Sequence, residues 1–429
     1  RLSKQFLITE KFSEKAVLWV GQQEYGCCFQ GGGWGKHFDF PVKTFAAAGK
    51  HKSYGGPLTK ASGFIESQND YVITHLAYDV KNQLEKLKSN NPSTIEFEEM
   101  GIYVPVWTFL IEEKNVEIGW PANEGLDNQV DSIFYEIESI QVPEMADMSF
   151  DSRTESMNKP AYLSNIKLTQ KHIQLGDIYQ ANICQEFIWN NVDVSGSKLF
   201  IAGFETNPNP FSVYLKNGKT ECLCWSPERF VTFFDGKVLS QPMKGTSPRG
   251  KNIAEDETFF TQLKNSEKDR RENVMIVDMV RNDLSHFADR GAVKVSELYK
   301  IKAYPRVHQM HSTITAHLKP SSNLFDTLLK AFPMGSMTGT PKIRAMEIIE
   351  QLESTRRGIY SGTIGFITPE KNADFNVVIR TLVYDSVSKK LSCHVGGGIT
   401  ALSDPLSEYE ECLLKLAPIN QLIESTVIT

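Results

Sequence analysis

Cysteine is scarce and unpatterned: seven residues, at 27, 28, 184, 222, 224, 393 and 412, in a chain of 429. An odd count without framework spacing excludes a disulfide-stapled scaffold and reads as a reduced, cytoplasmic protein. Cys222 and Cys224 form C-x-C, but no second Cys/His pair completes a zinc site, so both are expected as strand residues. Positive charge is not in excess either. Lys and Arg number 46 against 52 Asp and Glu, a formal net charge of −6, so no basic field invites nucleic acid. No apolar run approaches the ~20 residues of a membrane-crossing helix. The opening "RLSKQFLITEKF" lacks the apolar core of a signal peptide. Internal repeats, low-complexity tracts, the G-x-x-x-x-G-K-[ST] phosphate loop and the G-x-C-x-G nucleophile elbow are all missing. The partners left are small molecules and other proteins.

What is present can fill a sizeable core, since 41% of residues are hydrophobic. The first ~150 residues mix short strand-like runs with loops, among them "QGGGWGK", whose glycines fit no phosphate-binding spacing and read as a surface turn. The polar, proline-bounded stretch 141–160 reads as a connection. Beyond it, "SNIKLTQKHIQLGDIYQANICQEFIW" predicts a helix, a Gly176-Asp177 stop and a strand. "WSPERFVTFFDGKVLSQPMKGT" predicts a hairpin turning at Asp235-Gly236, and "DETFFTQLKNSEKDRRENVMIVDMVRNDLSHFA" one long helical stretch. The expected class is α+β, with large antiparallel β-sheets packed as a sandwich with flanking helices.

Several stretches carry chemistry. In "GGGITALSDPLSEYEECLLKL", Asp404 is a good N-cap and Pro405 suits the first helical position. Glu408, Glu411 and Lys415 then share one helical face. They read as a solvated, self-paired face or as oxygen ligands for a hard cation such as Mg²⁺. Glu272 lies beside an apolar run, where a carboxylate needs a cation; Arg270, Arg271 and Arg281 are the local choices. Alternation in "FNVVIRTLVYD" sets Arg380 on one face with Val378, Leu382 and Tyr384, implying an anion, structural or substrate. "FPMGSMTGTPKIRAMEII" puts Gly335, Thr338 and Gly339 in a loop before a helix capped by Thr340, with Pro341 at its first position. Lys244, before the turn in "QPMKGTSPRG", is either a solvated charge or a nucleophile.

In this order, "GDIYQANICQEF", "SPERF", "PMKGTSPRG", "ENVMIVDMVRNDL", "GSMTGTPKIRAMEII", "RRGIYSGTIGF", "NVVIRTLVY" and "VGGGITALSDPLSEYEE" resemble the chorismate-utilising enzymes. That family includes the large components of anthranilate and aminodeoxychorismate synthases and the isochorismate and salicylate synthases. The resemblance implies a catalytic region over 155–425 and a variable N-terminal region over 1–150. Isochorismate and salicylate synthases place a water-activating lysine where this chain has Gln180, which cannot remove a proton. Anthranilate synthases resemble P-I-A-G-T and aminodeoxychorismate synthases P-I-K-G-T at "PMKGT", so Lys244 falls where the latter place a nucleophile.

What the resemblance implies is specific. Glu272, Glu408 and Glu411 would hold Mg²⁺, and Glu228 would act as general acid. Arg380, Tyr360, Gly396, Gly397 and Gly398 would hold the enolpyruvyl carboxylate of chorismate, with Thr338, Gly339 and Lys415 at the ring carboxylate or metal side. Lys244 would add at ring C2, and burial beside the cation should lower its pKa. The family's His-Leu-x-Ser has Gln309 at the histidine position, flanked by His308 and His311, which fits an enzyme that stops before pyruvate elimination. Met334 and Thr340 replace a usual Gly and Ala. With no glutaminase in the chain, ammonia comes from solution or from a glutamine amidotransferase subunit. Bound tryptophan in the N-terminal half is a further partner the resemblance leaves open. An anthranilate synthase component, or a silent chorismate- or tryptophan-binding subunit, are the alternatives.

Overall fold

A computed structural model of the chain describes every residue except 39, 41, 123, 145–146, 305–306 and 427–429. Among the described residues its strands form two large antiparallel sheets, of twelve and ten strands, and one two-stranded sheet, with helices around them. The expected α+β class and large antiparallel sheets are what the chain adopts. Both sheets draw strands from each end of the sequence. Tyr25–Gln30 pairs with Phe211–Asn217 in the larger sheet, and Val72–Leu76 with Thr363–Ile367 in the smaller. Their facing surfaces bury an aromatic cluster that includes Phe29, Trp34, Phe45, Phe211 and Phe366. Two further apolar clusters lie under the helices.

Local chemistry explains most element boundaries. Asn158 caps the helix Lys159–Gln174 by accepting from the Ala161 N–H, and Gly176, at φ +81°, turns the chain into the strand Gln180–Asn190. The hairpin Arg229–Phe234/Lys237–Gln241 turns where expected, with Asp235 at φ +47° and Gly236 at φ +68°, the twist that suits flanking strands. The Gly31–Gly33 turn is more than a surface loop: the Gly33 carbonyl accepts from buried Arg229 at 2.6 Å. Cys222 and Cys224 lie in a strand, as expected.

Three expectations fail. The long helical stretch is two helices, Ile253–Asn265 and Glu267–Ser285, because Ser266 leaves the helical conformation and caps the second through the Asp269 N–H. Thr340 is not an N-cap; it pairs with Gln180, and the next helix, Lys342–Leu352, starts two residues later without a side-chain cap. The alternation around Arg380 does not belong to one strand. Ala373–Asn376 lies in the smaller sheet and Thr381–Asp385 in the larger, with Arg380, at φ +53°, in the crossover. Arg380 is therefore held between the sheets rather than on the face of either.

Candidate active site

Four elements converge on the glycine strand Lys390–Ile399. It pairs with Gln180–Asn190, placing Gly396, Gly397 and Gly398 opposite Cys184, Ile183 and Asn182. The lysine strand Met243–Pro248, the acidic helix Glu267–Ser285 and the C-terminal helix Pro405–Thr426 supply the charged groups. A Cβ on Gly398 would stand 3.0 Å from Lys244 Nζ and 3.1 Å from Gln180 Nε2. The two positions that separate the subfamilies in the sequence thus meet over one glycine. Gln180 is 1% exposed, and its Oε1 has no hydrogen-bond partner among the described residues.

Gly397 opens the other side. A Cβ there would meet Glu408 Oε2 at 3.3 Å, Lys415 Nζ at 3.8 Å and Glu411 Oε1 at 4.0 Å. Asp404 caps the C-terminal helix through the Ser407 N–H, fixing the stagger that turns these three side chains to the strand. Lys415 bridges the Gly396 carbonyl (2.7 Å) and Glu411 (2.8 Å). Burial and the adjacent Glu411 push Glu408 up, against a 2.7 Å hydrogen bond from Ser403. Burial would also raise Glu411, but Lys415, Lys244 and Lys268 together outweigh it and leave that carboxyl lowered.

Lys244 Nζ lies 3.3 Å from Glu272, whose other oxygen is 4.0 Å from Lys268. None of the arginines expected for Glu272 serves it: Arg271 pairs with Glu267, Arg281 with Asp278, and Arg270 lies over Tyr299. Lys244 and Lys268 both act electrostatically on Glu408 and Glu411, so acids and lysines form one cluster. Among the described residues no three His, Cys, Asp or Glu side chains stand together as a ready-made metal cage. The chemistry still suits a hard cation: Glu408 and Glu411 face Gly397 together, and Glu272 lies across Lys244 from them.

Glu228 completes the cluster. It is 6% exposed, and burial raises its pKa to about 7 against a hydrogen bond from Ser336 and the charges of Lys244 and Arg380. A buried carboxyl that stays protonated near neutrality is a proton donor.

A model of the chorismate binding enzymes matches residues 28–421. The chain belongs to this family. It is 35% identical over 350 residues, 81% of this chain and 75% of the relative, to aminodeoxychorismate synthase component 1 of Escherichia coli K12. It is 34% identical over 295 residues, 68% of this chain and 56% of the relative, to anthranilate synthase component 1 of Bacillus subtilis. Anthranilate synthase component I from Streptococcus pneumoniae has the same fold, with a TM-score of 0.76 at 22% identity, covering 97% of this chain and 91% of that one. The chain is therefore a chorismate-binding enzyme, as its motifs suggested.

Around this cluster, the remaining assigned residues divide. Arg380 faces Glu228 electrostatically and lies 3.4 Å from Asn209 Oδ1, and it lines one small cavity with Lys415. Thr338 and Gly339 belong to the walls: the Thr338 hydroxyl donates to the Met334 carbonyl, and Gly339 packs on the Gln180 carbonyl. Tyr360 lies behind the glycines, its ring stacked on His394 and its hydroxyl 4.0 Å from Cys184 Sγ. Gln309 leans on Thr246 at 3.5 Å. His308 is bound to Asp256, while burial and then Lys302 bring His311 down to about 4. Sequence reasoning passed over Lys268, Ser336 and Asn273, which donates to the Lys244 carbonyl and accepts from Ser312. The i,i+4 spacing of Lys268 and Glu272 was a usable signal. Ser336 sat unremarked in a quoted motif.

Among the described residues no helix is long and apolar enough to cross a membrane.

Proposed function

We propose that the chain is an aminodeoxychorismate synthase component I, a transferase making 4-amino-4-deoxychorismate from chorismate and ammonia for 4-aminobenzoate and folate synthesis. The observation that carries this reading is Lys244 beside Gln180 over Gly398, where a water-activating base would stand in an isochorismate synthase. The relatives named for this activity support it. The Lys244 amine adds at ring C2 as the ring double bonds shift and the C4 hydroxyl leaves. Glu228 donates a proton to that hydroxyl, so it departs as water. Ammonia then adds at C4, the double bonds shift back, and the Lys244 nitrogen leaves with its electron pair restored. Arg380, which faces Glu228, holds the enolpyruvyl carboxylate, and Lys415 attends the ring carboxylate or the metal.

Glu272, Glu408 and Glu411 would hold Mg²⁺, which when bound neutralises a substrate carboxylate. Glu411→Gln is expected to raise the Mg²⁺ concentration needed for half-maximal activity about tenfold or more, by loss of a charged ligand. A titration of activity against free Mg²⁺ reads this directly. Activity that survives EDTA counts against the metal.

Ammonia reaches the site from solution or from a separate glutamine amidotransferase, and the chain acts in the cytoplasm. All seven cysteines are buried and free, and burial pushes their thiols up, which leaves none suited to glutamine hydrolysis. The isolated chain should therefore aminate chorismate with ammonium salts, at a rate rising with pH as free ammonia rises, and should ignore glutamine. Adding an amidotransferase should confer glutamine use. The decisive assay supplies chorismate, Mg²⁺ and ammonium and identifies the product. Aminodeoxychorismate supports the proposal; fluorescent anthranilate, or no turnover, defeats it in favour of an anthranilate synthase component or a silent subunit.

A further inference from the structure

Arg357 touches none of the groups so far assigned a role, yet it is bound more densely than any of them. Its side chain is 1% exposed. Nη1 donates to the Met337 carbonyl (2.6 Å) and Ser361 Oγ (3.3 Å), and Nη2 to the Asn182 carbonyl (2.8 Å). Nε and Nη2 also grip the two oxygens of Glu353, at 2.9 and 2.5 Å, and the guanidinium lies over the Tyr78 ring. Glu353 in turn accepts from the Cys184 N–H at 2.8 Å. Stability alone does not call for this, because a buried ion pair is often no better than apolar packing of the same volume. A planar guanidinium, with five donors in a fixed fork, can hold two main-chain carbonyls and a carboxylate at once.

Those carbonyls belong to the two segments that shape the site. Asn182 stands opposite Gly398 in the strand register. Its N–H donates to the Thr338 carbonyl (2.7 Å) and its Nδ2 to the Ser336 carbonyl (3.1 Å). Ser336, the residue before Met337, lines one small cavity with Glu228, and its hydroxyl favours that carboxylate. A chain of contacts thus runs from Arg357 through residues 336–338 to the buried carboxyl. The other charged groups around Glu228 are Lys244 on the lysine strand, Arg380 in the crossover, and Asp283 of the acidic helix and Arg229, which line the same small cavity.

We propose that Arg357 is a positioning residue for proton transfer: its hold on Met337 and Asn182 sets Ser336 against Glu228. The proposal rests on the reading of Glu228 as the general acid. Glu228 must be protonated to act, so the activity it confers, read as the ratio to Glu228→Gln at each pH, falls as pH rises through its pKa. Ser336 favours the carboxylate, so losing its contact moves that alkaline limb upward.

The test measures kcat and KM for chorismate against pH, at fixed free ammonia, with thermal unfolding of each variant. Ser336→Ala should move the alkaline limb up by about half a unit or more and leave the melting temperature near wild type. Arg357→Met alone strands a buried Glu353, so the pair is removed together as Arg357→Met/Glu353→Leu. That variant should lose about a hundredfold in kcat, the effect of a small misplacement, keep KM for chorismate within about threefold, and shift the limb in the same direction. Arg357→Lys should restore part of kcat. If the double variant folds and keeps the wild-type limb and kcat, the residue is a structural brace only and the proposal falls. It falls equally if Ser336→Ala leaves the limb in place, a result available even should the Arg357 variants not fold. A ratio of wild type to Glu228→Gln that does not change with pH would instead refute the acid assignment itself, whatever the Arg357 variants do.

Discussion

Lys244→Ala is expected to lose chorismate amination by on the order of a thousandfold or more, about 4 kcal/mol of transition-state stabilisation, while remaining folded. The fold should tolerate it because the lysine side chain keeps 23% of its surface accessible and its one close carboxylate, Glu272, has Lys268 as a second cation. The loss should be chemical rather than electrostatic. Lys244→Arg retains the charge but offers no nucleophilic amine, so it should be as inactive as the alanine variant. If a positive charge were all the site required, arginine would recover much of the rate. Denaturing mass spectrometry of wild type quenched during turnover should find a substrate-derived adduct on the peptide that carries Lys244. Absence of that adduct under every turnover condition, with full activity in Lys244→Ala, would end the nucleophile assignment.

How much of this was legible beforehand depended on range. The Asp235-Gly236 hairpin and the shared face of Glu408, Glu411 and Lys415 are local devices, and local chemistry specifies them. The partner of Glu272 is not local. Three arginines lie within nine residues of it on the chain, but the cation it meets is Lys244, brought in by strand pairing and the packing of a helix across it. Periodicity failed at Arg380 for a related reason. An alternating run of eleven residues looks the same whether it is one strand or two short ones, and one left-handed residue suffices to pass the chain from sheet to sheet. Ser266 was equally ambiguous, because a serine inside a helical pattern can be a surface residue or the cap of a new helix. Arg357 gave no signal at all: its neighbourhood reads as a pair of basic residues before a glycine, and its importance lies wholly in contacts with residues 20 and 175 positions away.

Glu228→Gln should cost roughly a hundred- to ten-thousandfold in kcat, the usual contribution of a positioned acid, because the amide keeps the shape and has no proton of suitable acidity. The stronger test is the pH profile, where the sign follows from the cause. Burial raises the Glu228 carboxyl to about 7, so it is mostly protonated below neutrality and mostly ionised above it. At fixed free ammonia, the ratio of wild-type to Glu228→Gln kcat/KM for chorismate, in which every other titrating group cancels, should therefore fall by roughly tenfold per pH unit on the alkaline side. Lys244 and Arg380 hold the value down, so Arg380→Gln, which removes a charge facing Glu228, should move the limb upward while also weakening chorismate binding. An acid whose proton was irrelevant would show neither effect. A ratio of wild type to Glu228→Gln that stays flat between about pH 6 and 9 would assign the leaving-group proton to another donor in the pocket.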